Sequence, residues 1–203
     1  MKKSSLSPFL EREGVKKSSL SPFLVGIIEG SSIRDDSEQW EQINRMCYSL
    51  GVYEWHKPEV YIRGPLALGQ ADYGILNRDL RPVNSNDGRY TLLFHGEIYN
   101  YEELKDEIGI EESISPAKLL LALYEKYKND LVFKLKGAFN IIIWDDNEKK
   151  LTVTNDRYGL RPLYYSQGKN GLYLASEVKA ILACNDVSKN VDHSAIASLF
   201  FFG

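Results

Sequence analysis

Ala138-Phe139-Asn140-Ile141-Ile142-Ile143-Trp144, closed by Asp145-Asp146-Asn147, is the stretch on which the fold class turns. It is rich in β-branched and aromatic residues and stops at a cluster of turn formers, so it reads as a strand. On its C-terminal side, Lys150 to Thr154, Leu163 to Ser166 and Leu172 to Ala175 give further strands separated by turn-rich stretches. Ser176 to Leu182 reads as a helix with Ser176 as N-cap and Glu177 in the first turn. His193 to Phe202 opens another. On the N-terminal side the period is helical. Pro116 to Tyr127 carries Leu119, Leu120, Leu123 and Tyr127 on one face with proline at its first position. Tyr101 to Ile108 is a short charged helix. Farther out, Leu66 to Ile75 and Tyr90 to Phe94 read as strands, with a turn at Asn86-Asp87-Gly88. Ser37 to Leu50 has helical spacing at Trp40, Ile43, Met46, Cys47 and Leu50, with Gly51 as a stop, and Leu24 to Ile28 is a short buried strand. Antiparallel-looking strands with two central helices and a late one predict an α+β domain built of sheet layers.

The composition excludes several classes of function. The 203 residues hold 25 Lys+Arg and 28 Asp+Glu, a net charge of −3, which gives no basis for a nucleic-acid or anionic-membrane surface. No apolar run approaches the ~18 residues of a membrane span. Two cysteines, Cys47 and Cys184, are too few for a disulfide framework or a Cys-rich zinc site, so a reduced, cytoplasmic setting is expected. His56, His95 and His193 lie far apart and make no metal-ligand spacing. Neither a metal nor a cofactor is expected. Lys2 to Leu10 recurs letter for letter as Lys16 to Leu24, twice only, unlike a structural repeat. Residues 1–23 are therefore set apart as a duplicated, non-native or flexible segment, residues 24–190 as the domain, and residues 191–203 as the start of a linker or helix.

Four motifs carry a resemblance. Phe94-His95-Gly96-Glu97-Ile98-Tyr99-Asn100-Tyr101-Glu102-Glu103-Leu104 resembles the "F-N-G-E-I-Y-N-x-x-E-L" box of asparagine-synthetase-type class II glutamine amidotransferases. Leu135 to Asp145 is similar to that family's "L-x-G-x-F-A-x-x-x-W-D". Asn155 to Tyr165 is similar to "R-D-R-x-G-x-K-P-L-Y-Y", and Ala175 to Leu182 to "A-S-E-x-K-A-L-L". All four stand in family order and at family distances. The resemblance implies a four-layer αββα sandwich of antiparallel sheets, the N-terminal-nucleophile (Ntn) hydrolase fold. In active members this domain hydrolyses glutamine and passes ammonia to a following ATP-using synthetase domain.

The same resemblance marks what has changed. The mechanism needs a thiol on the first residue of the mature chain, whose free α-amine, with a pKa of ~7.7–8.0, serves as base. The family's leading Cys-Gly-Ile matches Val25-Gly26-Ile27, so the nucleophile position holds a valine with its nitrogen in a peptide bond. The arginine expected for the glutamine carboxylate matches Asp72, and the aspartate expected for the glutamine amine matches Pro116. The oxyanion asparagine before Gly96 and Glu97 is His95. No catalytic residue is therefore assigned, and Asp72, His95, Gly96, Glu97 and Pro116 form a vestigial pocket. Arg63-Gly64-Pro65 looks like the family's "R-G-P-D" box but falls about ten residues late and is set aside as coincidence. Asp156, Arg157 and Arg161, expected at the domain's far end, read either as a docking loop or as an internal Asp–Arg pair bracing that loop.

The expected function is an amidotransferase-like domain whose glutaminase activity is lost, acting as a folding and docking partner for an ATP-dependent synthetase domain or subunit. Two alternatives stay open: an active glutamine-hydrolysing domain of an asparagine synthetase, and a small-molecule binding module that reuses the vestigial pocket. A homo-oligomer also stays open.

Overall fold

The computed structural model describes residues 23–30, 35–50, 58–71 and 81–202. Within β1 (Phe23–Glu29) the side chains alternate between two apolar environments, as a pleated strand buried on both faces must. Phe23, Val25 and Ile27 face one way, and Leu24 and Ile28 the other. β1 is the middle strand of a five-stranded sheet with β2 (Glu59–Arg63), β3 (Leu66–Ala71), β8 (Tyr164–Gln167) and β9 (Gly171–Ala175), ordered β2-β3-β1-β9-β8 and antiparallel throughout. A second antiparallel sheet runs β4 (Val83–Asn84), β5 (Tyr90–Ile98), β6 (Gly137–Asp145) and β7 (Lys150–Asn155) in chain order.

Three apolar clusters fill the spaces between layers. Ile43, Met46 and Cys47 of α1 (Asp36–Ser49) and Ala180 and Ile181 of α5 (Val178–Leu182) pack on Val25, Ile27 and Tyr173 of the first sheet. Leu24, Leu66, Leu68 and Leu174 of that sheet meet Leu93, Ile142 and Trp144 of the second. Leu104 of α2 (Tyr101–Glu107), Leu119, Leu120 and Leu123 of α3 (Pro116–Tyr127), and Leu131 of α4 (Leu131–Lys134) cover Leu92, Phe94, Ile141 and Ile143 on the second sheet's outer face. The order helix, sheet, sheet, helix is the four-layer αββα sandwich that the resemblance implies. A 3-10 turn, Lys128–Asp130, joins α3 to α4, and α6 (His193–Phe202) follows the last layer.

Local chemistry sets the element ends. Asp35 accepts from the Ser37 and Glu38 N–H groups, each at 2.9 Å, and so caps α1. Ser115 caps α3, whose first residue is Pro116. One local expectation is corrected. Ser176 does not cap α5, which starts at Val178 behind Glu177. Its Oγ accepts from the Leu24 N–H at 3.2 Å while its own N–H donates to the Leu24 carbonyl at 2.9 Å, extending the β1–β9 ladder. Strand pairing across 152 residues has outcompeted the local cap. Arg63-Gly64-Pro65 is the β2–β3 hairpin turn, with Gly64 at φ +54°, and β2 itself is a strand the sequence reading leaves out. Arg63 donates to the Gly88 carbonyl at 2.9 Å and to Asn84 Oδ1 at 3.3 Å, tying the edges of the two sheets together. The duplicated segment up to residue 22 lies outside the described residues. Among the described residues no helix is long and apolar enough to cross a membrane.

Candidate functional site

Gln70, His95 and Asn140 lie on the inner faces of the two sheets, where period-two alternation would place apolar side chains. Their exposures are 1%, 2% and 0%. His95 and Asn140 occupy the same rung of the β5–β6 ladder. Gln70 reaches across from β3, its Nε2 donating to the Phe94 carbonyl at 3.3 Å. Gln70 Oε1, both ring nitrogens of His95, and both amide atoms of Asn140 are buried without a hydrogen-bond partner among the described residues. An unpaired buried polar atom costs about 1–3 kcal/mol. Five in one inter-sheet space mark a place built to meet a polar group.

The surroundings tune this cluster. Burial, and secondarily the Arg161 guanidinium, push the His95 imidazole down to about 4, so it is neutral at pH 7 and offers one donor and one acceptor. Gly96 adopts φ +133°, and a Cβ there would lie 2.2 Å from the Ala138 carbonyl, so only glycine fits. Arg161 Nη2 stands 3.6 Å from Glu97 Oε1, and its Nε donates to the Ala138 carbonyl at 3.1 Å. The Asp156 N–H donates to the Phe139 carbonyl at 3.0 Å, and its Oδ1 accepts from the Tyr158 and Leu160 N–H groups at 3.0 and 3.2 Å.

The structure therefore brings His95, Gly96, Glu97, Asp156 and Arg161 to one end of the β5–β6 ladder. This corrects two expectations for the 156–161 loop. It sits beside the pocket and not at a remote end, and no Asp–Arg ion pair braces it among the described residues. Asp156 braces it through backbone N–H groups instead, which the short carboxylate reaches without ordering a long partner. Arg157 is exposed. Pro116 lies in the helix layer over the second sheet's outer face, opposite the face that carries His95. Asp72 lies outside the described residues.

Val25 is fully buried in the centre of β1, paired with Gly69 on one side and Ala175 on the other. Its side chain packs with Ile43 and Cys47 under α1, on the opposite face of the first sheet from Gln70. The Cys47 thiol, also in that layer, is pushed up to about 12 by burial and stays protonated. Cys184 is buried as well. Gln70 and Asn140 are the site residues that sequence reading missed. The signal available was a single amide interrupting an otherwise apolar strand, Leu66-Ala67-Leu68-Gly69-Gln70 and Phe139-Asn140-Ile141. Among the described residues no group of three or more His, Cys, Asp or Glu side chains is placed to hold a metal ion.

A family model described as a glutamine amidotransferase domain matches residues 24–203. Asparagine synthetase (glutamine-hydrolyzing) 1 of Bacillus subtilis (strain 168) is 35% identical over 127 residues, 60% of this chain and 20% of that protein. Asparagine synthetase (glutamine-hydrolyzing) 3 of the same organism is 33% identical over 118 residues, 56% of this chain and 19% of that protein. Amidase chry2 of Gibberella zeae is 33% identical over 106 residues, 51% of this chain and 16% of that protein. The chain thus spans about a fifth of the length of these curated relatives or less. Among solved structures, glutamine phosphoribosylpyrophosphate amidotransferase from B. subtilis, complexed with ADP and GMP, superposes with a TM-score of 0.59. At 18% identity it covers 79% of this chain and 43% of its own, a likeness of fold alone. The fold shared with it is the Ntn-hydrolase sandwich.

Proposed function

The chain belongs to the glutamine amidotransferase domain family, and from that premise we propose that it is an amidotransferase-like domain of an asparagine-synthetase-related protein that no longer hydrolyses glutamine. The observation that carries this reading is Val25. The position that must supply both thiol and α-amine holds an apolar side chain buried in the middle of a strand, with Phe23 and Leu24 paired ahead of it. No step of thiol-based acyl transfer can start there. The domain's role is then to fold with and dock onto an ATP-dependent synthetase partner, joined to it or separate. The apolar α6, with Leu199, Phe200 and Phe201 exposed, and the 156–161 loop supply surfaces for that contact.

A coupled ammonia assay on the full chain at saturating glutamine tests the catalytic half. Release at background rate is expected. Turnover would favour the alternative suggested by the relatives' names, an active glutamine-hydrolysing domain. A second reading is favoured by the orphaned atoms of Gln70, His95 and Asn140: the inter-sheet space holds a small polar ligand without transforming it. A thermal-shift screen of small amides and amino acids tests it, because a ligand bound only by the folded state raises the melting temperature.

A further inference from the structure

A groove of about 380 Å³ opens on the outer face of the second sheet, between the α3–α4 end of the helix layer and strands β6 and β7. That volume lies in the range of small-molecule pockets, about 300–1,000 Å³. Its floor is apolar, built from Leu131, Leu135, Ile141 and Ile143. Lys128 and Lys150 also line it, no carboxylate lines it among the described residues, and neither lysine makes an ion pair there. In a chain of net charge −3, an apolar groove lined by two lysines that make no ion pair among the described residues is a local excess of positive charge.

The backbone supplies an independent observation. Lys128, the C-cap of α3, sits at φ 51°, ψ −130°, a conformation that L residues rarely adopt and where glycine is the usual solution. The chain nevertheless places a lysine there. Its ammonium lies 4.4 Å from the Tyr90 ring centroid and 5.4 Å from that of Tyr124, and donates to the Tyr90 hydroxyl at 3.0 Å. Backbone strain that holds a charged group in a fixed position at a cavity is a mark of a functional site.

We propose that this groove binds an amphipathic monoanion, one carboxylate on an unbranched or aryl apolar body. The body covers Leu131, Leu135, Ile141 and Ile143, and the carboxylate meets Lys128 and Lys150. Neither half suffices alone: the floor gives affinity without orientation, and exposed ammonium groups hold a bare anion weakly.

The test is isothermal titration of the full chain with decanoate, 1-decanol and acetate, below the micelle concentration. Decanoate is expected to bind at least about tenfold tighter than decanol, since a charge-assisted contact is worth a factor of that order, and acetate is expected to give no measurable binding. The double variant Lys128→Gly, Lys150→Ala should weaken decanoate about tenfold with no loss of melting temperature, because glycine also relieves the backbone at 128. Thr152→Trp, on the groove-facing side of β7, should abolish binding by filling it. Absence of decanoate binding, equal binding of decanol, or full affinity in the double variant overturns the proposal.

Discussion

Val25 and Gly69 share a rung of the β1–β3 ladder, and a Cβ on residue 69 would lie 2.9 Å from Val25 Cγ2 and 2.7 Å from Cys47 Sγ. The missing side chain at 69 is thus what lets α1 settle onto the first sheet. Gly69→Ala should overpack this layer and destabilise the domain by about 1–3 kcal/mol. A denaturant midpoint that does not move would show that α1 can shift to make room.

The same contact governs what a restored thiol could do. In a Val25→Cys variant the sulfur would sit beside Cys47, in a layer where burial already holds a thiol at about 12. His95 and Asn140 are on the far side of the sheet. Cutting the chain ahead of residue 25 would free an α-amine but remove Phe23 and Leu24, both buried. With either form, ammonia release from glutamine is expected to stay at background, and the new thiol should resist labelling in the native state. Rapid labelling together with glutamine turnover would place residue 25 in the pocket and sink the inactive reading.

His95 gives the fold a pH dependence. Its folded value of about 4 lies below the unfolded value of about 6.5, so between the two the unfolded state binds more protons. Stability is full above about 6.5 and is lost as pH falls toward 4, a total of order 3 kcal/mol. Carboxylates titrate near the lower end of this window, so the comparison is with His95→Asn, which keeps a short polar side chain and removes the titration. Unfolding free energies at pH 7 and 4.5 should differ by about 2–3 kcal/mol less in the variant than in the parent. Equal differences would mean that the imidazole is accessible to water.

Strand and helix identity was legible wherever period and burial agree. α3 begins at Pro116 and ends at Tyr127 as its spacing predicts, because proline, cap and apolar face all point to the same register. β2 was not legible: Glu59 to Arg63 is an edge strand of exposed and half-buried residues, with no apolar run to announce it. Ser176 looked like a cap because capping is local chemistry, whereas its partner Leu24 is fixed only by the β1–β9 register. The pocket was half legible. Motif matching found His95, Gly96 and Glu97, but Gln70 and Asn140 acquire meaning only when the sheets stack and bury their amides in the space between them. Arg161 reads from sequence either as a docking cation or as the partner of Asp156, yet Glu97 and the Ala138 carbonyl hold it.

That last placement changes how docking is to be tested. Arg161 braces the loop against the pocket rim, so its removal would disturb the domain and its partner surface together. Arg157 is exposed and makes no ion pair among the described residues, and beside it Tyr158 and Leu160 are 78% and 60% exposed. An exposed tyrosine next to an arginine matches the residue types that dominate protein interfaces, where truncating such a hot spot costs about 2 kcal/mol or more. Arg157→Ala with Tyr158→Ala should weaken association with the ATP-dependent synthetase partner by about tenfold or more. The domain's own melting temperature should stay within about a degree, because both side chains are exposed. Arg161→Ala should instead lower the melting temperature. An association constant unmoved by the double variant, measured by calorimetric titration of the domain into the synthetase, would remove the loop from the interface and leave α6 as the surface to test.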